Sequence, residues 1–281
     1  MVERSYTRVT LALDIIRKIE SGPFNGYHEL GIIKHKIDLH DSISIDESDT
    51  MKIECNNPLV PCDESNICWK AAVLLKETYG ISGNVKICID KNIPVMGGLA
   101  GGSANAATTL SMLSGLWGLN LTSETLMELG RRLGMDVPFY FTANTAFDTE
   151  ATGIIEPVKH NMHFTFVLVV PEFGVSTRDA YQGIDYNIIG KSVSKTQNMK
   201  TALCEKSSDA FFPLMHNDFE LTVFKKYPEL NIIKKQLLDA GCHAAMMSGS
   251  GSTILGIADN ISHAECIKSL VGCKTIIASS L

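Results

Sequence analysis

Pro94-Val95-Met96-Gly97-Gly98-Leu99-Ala100-Gly101-Gly102-Ser103-Ala104-Asn105-Ala106-Ala107 is the stretch that decides how this chain is read. In front of it Val85, Ile87 and Ile89 alternate with Lys86, Cys88 and Asp90, the period of a half-buried strand, and behind it the alanine-rich run from Ala104 to Trp117 favours a helix. A glycine loop between strand and helix lets backbone N–H groups turn towards an anion, and the helix start adds unsatisfied N–H donors and the positive end of its dipole. The competing reading of such a loop is a tight turn that only lets the helix pack closely. Ser103, directly after the four glycines, favours the anion. Two phosphate-loop spacings do not fit. G-x-G-x-x-G would need a glycine at Leu99 or Ala100, and G-x-x-x-x-G-K-[ST] needs a lysine where the chain has Ser103.

Working outwards, Asn66 to Tyr79 carries Ile67, Ala71, Leu74 and Leu75 at helical spacing and stops at Gly80. Val9, Leu11 and Leu13 alternate as a strand that ends at the turn-forming run Ser21 to Gly26, and Ile43 and Ile45 alternate with Ser42 and Ser44 as another. A second helix is expected from Ser123 as N-cap, through Leu126, Leu129 and Leu133, to Gly134 at C′. The second half reads as a strand at Phe164 to Val170, a polar stretch from about Lys191 to Ser208, a helix near Leu230 to Ala240 and a strand near Thr253 to Ile257. This predicts an α+β protein of two domains, 1–155 and 156–281, with a ligand cleft between them.

Composition narrows the function classes. The 281 residues carry 25 Lys and Arg against 31 Asp and Glu, a net charge of −6, which gives no footprint for nucleic acid or an anionic membrane. With 45% hydrophobic residues and a mean hydropathy of +0.09, the chain is expected to be a soluble globular protein. No apolar run nears the ~20 residues of a membrane span, and the first residues lack the pattern of a secretory leader, so a cytoplasmic location is expected. Cys55, Cys62, Cys68, Cys88, Cys204, Cys242, Cys266 and Cys273 form no C-x-x-C and are expected to be reduced, mostly buried thiols. The pairs His35/His40 and His160/His163 lack the cysteine or carboxylate company of a transition-metal site.

Read on Pro94 to Ala107, P-x-x-x-G-L-x-G-G-S-x-N-A-A resembles the phosphate-binding motif of the GHMP kinases. Leu133-Gly134-Met135-Asp136-Val137-Pro138 resembles the family's L-G-x-D-V-P, and Met247-Ser248-Gly249-Ser250-Gly251-Ser252 its C-terminal glycine motif. Gly26-Tyr27-His28-Glu29-Leu30 resembles the members that act on a cytidyl diphosphate alcohol. Agreement at Asn66, Ile89 to Pro94, Gly174 to Thr177 and His216 to Glu220 extends the likeness over nearly the whole chain.

The resemblance implies an N-terminal domain like domain 2 of ribosomal protein S5 and a ferredoxin-like C-terminal domain. It also implies ATP and Mg2+ as cofactors and a small-molecule alcohol as phosphoryl acceptor. ATP would lie against Asn66, Lys91, Pro94, Met96, Gly97, Gly98, Leu99, Ala100, Gly101, Gly102 and Ser103, with Ser103 beside the phosphates or the metal and no other protein contact to the metal. Asp136 would be the catalytic base, a capping or turn aspartate being the plainer reading. Arg8 and Thr10 stand where similar isoprenoid-pathway kinases have the lysine and asparagine of A-K-x-N. Arg8 is then either the cation at the reaction or a solvated strand-edge residue. The substrate would meet Thr10, Tyr27, His28, Asp136, Thr177, Tyr181, Gly249 and Ser250. Another small alcohol, a non-catalytic ATP-binding protein, and a purely structural glycine loop stay open as alternatives, as do monomer and homodimer.

Overall fold

A computed structural model describes residues 1–190 and 194–281. In chain order the elements are β1 (Val2–Lys18), β2 (His28–Ser48), β3 (Lys52–Cys55), α1 (Ile67–Tyr79), β4 (Asn84–Asp90), α2 (Gly101–Leu116), α3 (Ser123–Leu133), β5 (Thr145–Glu150), β6 (Ile155–Pro157) and β7 (Thr165–Val169). There follow α4 (Thr177–Gln182), α5 (Lys195–Glu205), α6 (Ser208–Phe211), β8 (His216–Asn217), α7 (Glu220–Lys226), α8 (Pro228–Asp239), β9 (Ala245–Met247), β10 (Ile254–Ala258), α9 (Ile261–Leu270) and β11 (Thr275–Ser279). They pack as two compact units that interleave in sequence. The first holds Met1–Thr7, Leu39–Val95 and Ala100–Ala143, the second Arg8–Asp38, Met96–Leu99 and Asn144–Leu281. The long strands β1 and β2 and the glycine loop each give residues to both units.

In the first unit the end of β2 pairs antiparallel with β4, from Ser42 against Asp90 to Ser48 against Asn84, and β4 pairs parallel with β3. Period two sends Ile43, Ile45, Val85, Ile87 and Ile89 to one face, where they bury against Ala71, Leu74 and Leu75 of α1 and Ala106, Leu110 and Leu113 of α2. Full burial of each such aliphatic side chain contributes ~1.5–3 kcal/mol. The α1 helix forms where its signals lie. Asn66 accepts from the Cys68 N–H at 2.8 Å as N-cap, and Gly80 ends the helix at φ 68°.

In the second unit β7, α8, β9, β10, α9 and β11 give an antiparallel sheet of order β11-β7-β10-β9. That βαββαβ order is the ferredoxin-like arrangement. Val167, Val169, Ile254 and Met247 of the sheet share a core with Leu230, Ile233 and Leu237 of α8 and Ala264 and Ile267 of α9. In the same unit β1 pairs parallel with β8, Ala12 opposite His216 and Leu13 opposite Asn217.

Three local expectations are corrected. Thr122, not Ser123, caps α3 by accepting from Thr125 N, and Gly134 leaves the helix extended, at φ 175°, rather than left-handed. The polar stretch from Lys191 begins outside the described residues, at 191–193, but most of it is the helix α5, which turns Thr196, Met199, Ala202 and Leu203 inwards. The cysteines are all free, yet only Cys68 and Cys242 are buried, while Cys62, Cys204, Cys266 and Cys273 are exposed. Cysteine is a small side chain, so leaving it exposed forfeits little buried apolar area. Among the described residues no helix is long and apolar enough to cross a membrane.

Candidate active site

The second unit brings one half of the sequence-predicted site together. Arg8, on β1, is only 5% exposed, and its Nη1 donates to Thr10 Oγ1 at 3.1 Å and to the Gly98 carbonyl at 3.1 Å. The solvated strand-edge reading of Arg8 is therefore excluded. Ser248 joins the same carbonyl, its Oγ donating to Gly98 O at 3.1 Å and accepting from Thr10 N at 3.3 Å. Thr253 N donates to Gly97 O at 3.2 Å, a backbone bond that brings the loop at Gly97 next to the residue that follows the second glycine motif. The approach is close enough to require glycine. A Cβ on Gly98, whose φ is +72°, would stand 2.1 Å from the Ser248 carbonyl oxygen. Gly249 lies beside the Arg8 guanidinium, and Ser250 shares a 3.1 Å hydrogen bond with Thr177 at the start of α4.

Asn217 secures this loop from behind. Its amide donates to Met247 O at 2.8 Å and Gly249 O at 2.7 Å, and its Oδ1 accepts from Phe219 N. Its neighbour His216 faces an acceptor at each ring nitrogen, Leu214 O at 2.7 Å and Asp14 Oδ1 at 2.5 Å. Burial opposes its charge, but the bonds to Asp14 and Leu214 and the charges of Asp14 and Asp218 outweigh it and raise the imidazole above its ordinary value. Asp14, His216 and Asp218 bring their ligand-type atoms within 4.8 Å of one another. With Asp14 also accepting from Thr196 N, and Asp218 from Ile15 N, the cluster reads as an imidazolium held between carboxylates.

The first unit holds Asn66, Lys91, Pro94, Ala100, Gly101, Gly102, Ser103 and Asp136. The helix α2 begins at Gly101 without a side-chain cap, and its first intrahelical bond runs from Ala104 N to Ala100 O. The N–H groups of Gly101, Gly102 and Ser103 thus precede the ladder, free of intrahelical acceptors. This donor row, with the space that only glycine leaves, fits a chain of phosphates. Ser103 offers a hydroxyl that could meet a phosphate-bound magnesium ion. The Lys91 side chain is 5% exposed and paired with the fully buried carboxylate of Asp41, and a Cβ on Gly101 would stand 2.9 Å from the Lys91 ammonium. Asp41 also accepts from Asn92 N at 2.7 Å and Ile93 N at 2.8 Å, which fixes the turn into Pro94. Asn66 is 4% exposed, with its oxygen used by the α1 cap and its amide donating to Pro61 O. Met96, which belongs to the second unit, is 58% exposed at φ 57°. Asp136 stands at the entry of a short 3-10 helix, Val137–Phe141, and gives it no side-chain cap, so the capping role is excluded for that helix. Its place is set by Val137, fully buried against Gly130 of α3.

The aromatic candidates divide. His28 lies 4.7 Å from Tyr181 between ring centroids, and Tyr181 sits edge-on to the buried Phe219. Tyr27 is 50% exposed and its ring meets Phe24 instead. Sequence reasoning missed Asp41, Asn217, Ser248 and Tyr186, whose hydroxyl lies 2.6 Å from His28 Nε2. Ser248 and Asn217 lie inside motifs already singled out, whereas Asp41 and Tyr186 have no distinguishing spacing.

Comparison with known proteins agrees with this geometry. The GHMP kinases N terminal domain family matches residues 66–143, and the GHMP kinases C terminal family matches 199–272. A 4-diphosphocytidyl-2-C-methyl-D-erythritol kinase of Clostridium perfringens (strain SM101 / Type A) is 38% identical over 267 residues, covering 94% of this chain and 91% of its own. The enzyme of that name from Bacillus subtilis (strain 168) is 38% identical over 262 residues, covering 92% and 88%. A crystal structure of 4-(cytidine 5'-diphospho)-2C-methyl-D-erythritol kinase superposes with a TM-score of 0.81 at 26% identity, covering 99% of this chain and 98% of that one. A homoserine kinase from Cytophaga hutchinsonii, TM-score 0.75 at 15% identity over 98% and 94%, shares the fold. With both family domains present and near full-length relatives above 30% identity, the chain belongs to the GHMP kinases.

Proposed function

We propose that this kinase transfers the γ-phosphoryl group of ATP to the 2-hydroxyl of 4-diphosphocytidyl-2-C-methyl-D-erythritol, a step in making isoprenoid precursors by the non-mevalonate route. The observation that carries the reading is 38% identity, over 94% of the chain, to a relative of that name. The His28–Tyr181 pair supports it from the site, since a pyrimidine calls for a flat aromatic face with edge hydrogen bonds beside it.

Phosphoryl transfer asks the protein for position and charge neutralisation. Bound with magnesium, ATP supplies the reacting phosphoryl group. The N–H groups of Gly101, Gly102 and Ser103 and the dipole of α2 would hold its phosphate oxygens, and the Ser103 hydroxyl would be the protein's contact to the magnesium ion. Asp136 takes the proton of the attacking hydroxyl, as the new oxygen–phosphorus bond forms and the bond to ADP breaks. Arg8 stays protonated throughout and serves as a fixed positive charge, oriented by Thr10 and Gly98. Thr10, Thr177, Gly249 and Ser250 line the alcohol side, with Tyr27, His28 and Tyr181 at the base. Such an enzyme works on a small molecule in the cytoplasm.

The test is ADP release with ATP, magnesium and 4-diphosphocytidyl-2-C-methyl-D-erythritol, run beside galactose, homoserine, mevalonate and phosphomevalonate, with Asp136→Asn as control. Saturable turnover of the cytidyl alcohol alone is expected. The control should fold, bind ATP and lose ~10²-fold or more in rate. Turnover of a different alcohol would move the reading to that substrate, the alternative that the Arg8–Thr10 pair favours. ATP binding without any turnover would make the chain a non-catalytic binding protein.

A further inference from the structure

Tyr186 lies outside every motif of the family resemblance, yet it makes the one hydrogen bond of the His28 ring to a described residue, 2.6 Å from hydroxyl to Nε2. The phenol and imidazole planes are 5° apart with centroids 6.2 Å apart. Together with the short O···N distance, that separation describes two rings edge to edge in a common plane, with the phenol oxygen along the in-plane direction of Nε2. On its face, the same imidazole meets Tyr181. His28 is therefore positioned by two tyrosines, one through its face and one through its edge.

The edge contact decides where the ring proton lies. Burial, and then the charge of Lys18, lower the His28 pKa and favour the neutral imidazole, which carries one N–H. A phenolic O–H is the stronger donor of the two groups, and an imidazole nitrogen lone pair is a better acceptor than a phenol oxygen. The favoured bond is O–H to Nε2, which leaves the proton on Nδ1. No described residue accepts from Nδ1.

We propose that Tyr186 is a positioning residue for nucleobase selection: by donating to Nε2 it holds His28 as the Nδ1–H tautomer, which accepts cytosine and rejects uracil. The inference rests on the cytidyl reading above. Cytosine presents an unprotonated N3, an acceptor for Nδ1–H, whereas uracil carries a hydrogen at N3 and would set two donors against each other. A misplaced donor of this kind separates ligands more strongly than a missing methylene does, because a polar group is left unpaired on each side.

Two measurements on the whole protein test it, using wild type and Tyr186→Phe. Nitrogen-15 spectra of histidine-labelled protein without nucleotide should show His28 as the Nδ1–H tautomer in wild type and as a mixture in the variant. Calorimetric titration with CDP and UDP should show tighter binding of CDP in wild type, tenfold or more, falling several-fold in Tyr186→Phe, with ATP affinity and melting temperature unchanged. A merely structural role would not move the ratio of the two affinities. An Nε2–H tautomer in wild type, or an unchanged CDP-to-UDP ratio in a folded variant, would overturn the role of Tyr186 alone. Failure of wild type to bind either nucleotide would overturn the cytidyl reading, and the selection role with it.

Discussion

Arg8 shows how much one buried cation can organise. Its guanidinium bridges Thr10 on its own strand and the Gly98 carbonyl, so one side chain ties β1 to the glycine loop. Lysine keeps the charge but replaces a planar fork with a single ammonium on a flexible stem, which cannot keep both bonds at the same geometry. Arg8→Lys is expected to lower kcat/KM about tenfold, ~1.4 kcal/mol, and to lower the melting temperature by a few degrees, checked by initial rates and thermal melts. Equal rates and equal melting in the variant would return Arg8 to a bystander. The sequence shows an arginine one residue before an apolar alternation and nothing more. Burial depends on partners 90 and more positions away, which no local pattern encodes, so the choice between reacting cation and surface residue was open until the loop was seen against it.

At the scale of elements, the glycine loop is where conformation and packing coincide. Gly98 needs φ +72° and leaves no room for a Cβ beside Ser248 O, so Gly98→Ala adds both backbone strain and a clash. It should cost ~2 kcal/mol or more and, at roughly 2–4 °C per kcal/mol for a chain of this size, lower the melting temperature by at least several degrees. Gly115 makes the contrast. Exposed near the end of α2, with nothing within 4 Å of its missing Cβ, it should tolerate alanine with no loss and a gain of up to ~1 kcal/mol. Calorimetric melts of the two variants check the pair, and equal shifts would deny the loop its special geometry. Elements with local signals were legible. The cap and stop of α1, the period of β4 and the apolar runs of β7 and β10 all coincide with the structure to within a few residues. The long strands were legible only in part, at Val9 to Leu13 and Ser42 to Ile45, because their other buried positions include Ser5, Thr7, Asp14, Lys34 and His35, which break the apolar alternation. Their partners come from distant segments, as when Asp148 and Glu150 of β5 hold the buried ammonium of Lys34.

Those same buried polar residues give the whole molecule a dependence on pH that composition does not reveal. His35 is 2% exposed, its ring nitrogens bonded to Thr145 Oγ1 at 2.6 Å and Ser280 Oγ at 2.8 Å, with the His160 ring 5.7 Å away. Burial, then the charges of His160 and His163, push its pKa down to about 3. The unfolded chain binds a proton at this imidazole below its ordinary pKa of about 6.5, whereas the folded chain does not bind one until about pH 3. The stability contributed by neutral His35 is therefore full above pH 6.5 and falls steadily as the solution is acidified. Where the unfolded chain holds one proton more than the folded one, stability falls by about 1.4 kcal/mol for every pH unit, so the loss from this residue between pH 7.5 and pH 5 is about 2 kcal/mol. His216 works in the opposite sense. Its raised pKa gives stability that is present below its unfolded value and lost as pH climbs through the folded one. A comparison of one variant with wild type cancels His216 and the carboxylates and leaves His35. His35→Gln should be less stable than wild type at pH 7.5, where it gives up the paired hydroxyls, yet should lose about 2 kcal/mol less on going to pH 5. Urea unfolding of both proteins at the two pH values measures this difference, and parallel losses would show that the His35 imidazole takes up its proton in the folded protein as readily as in the unfolded chain.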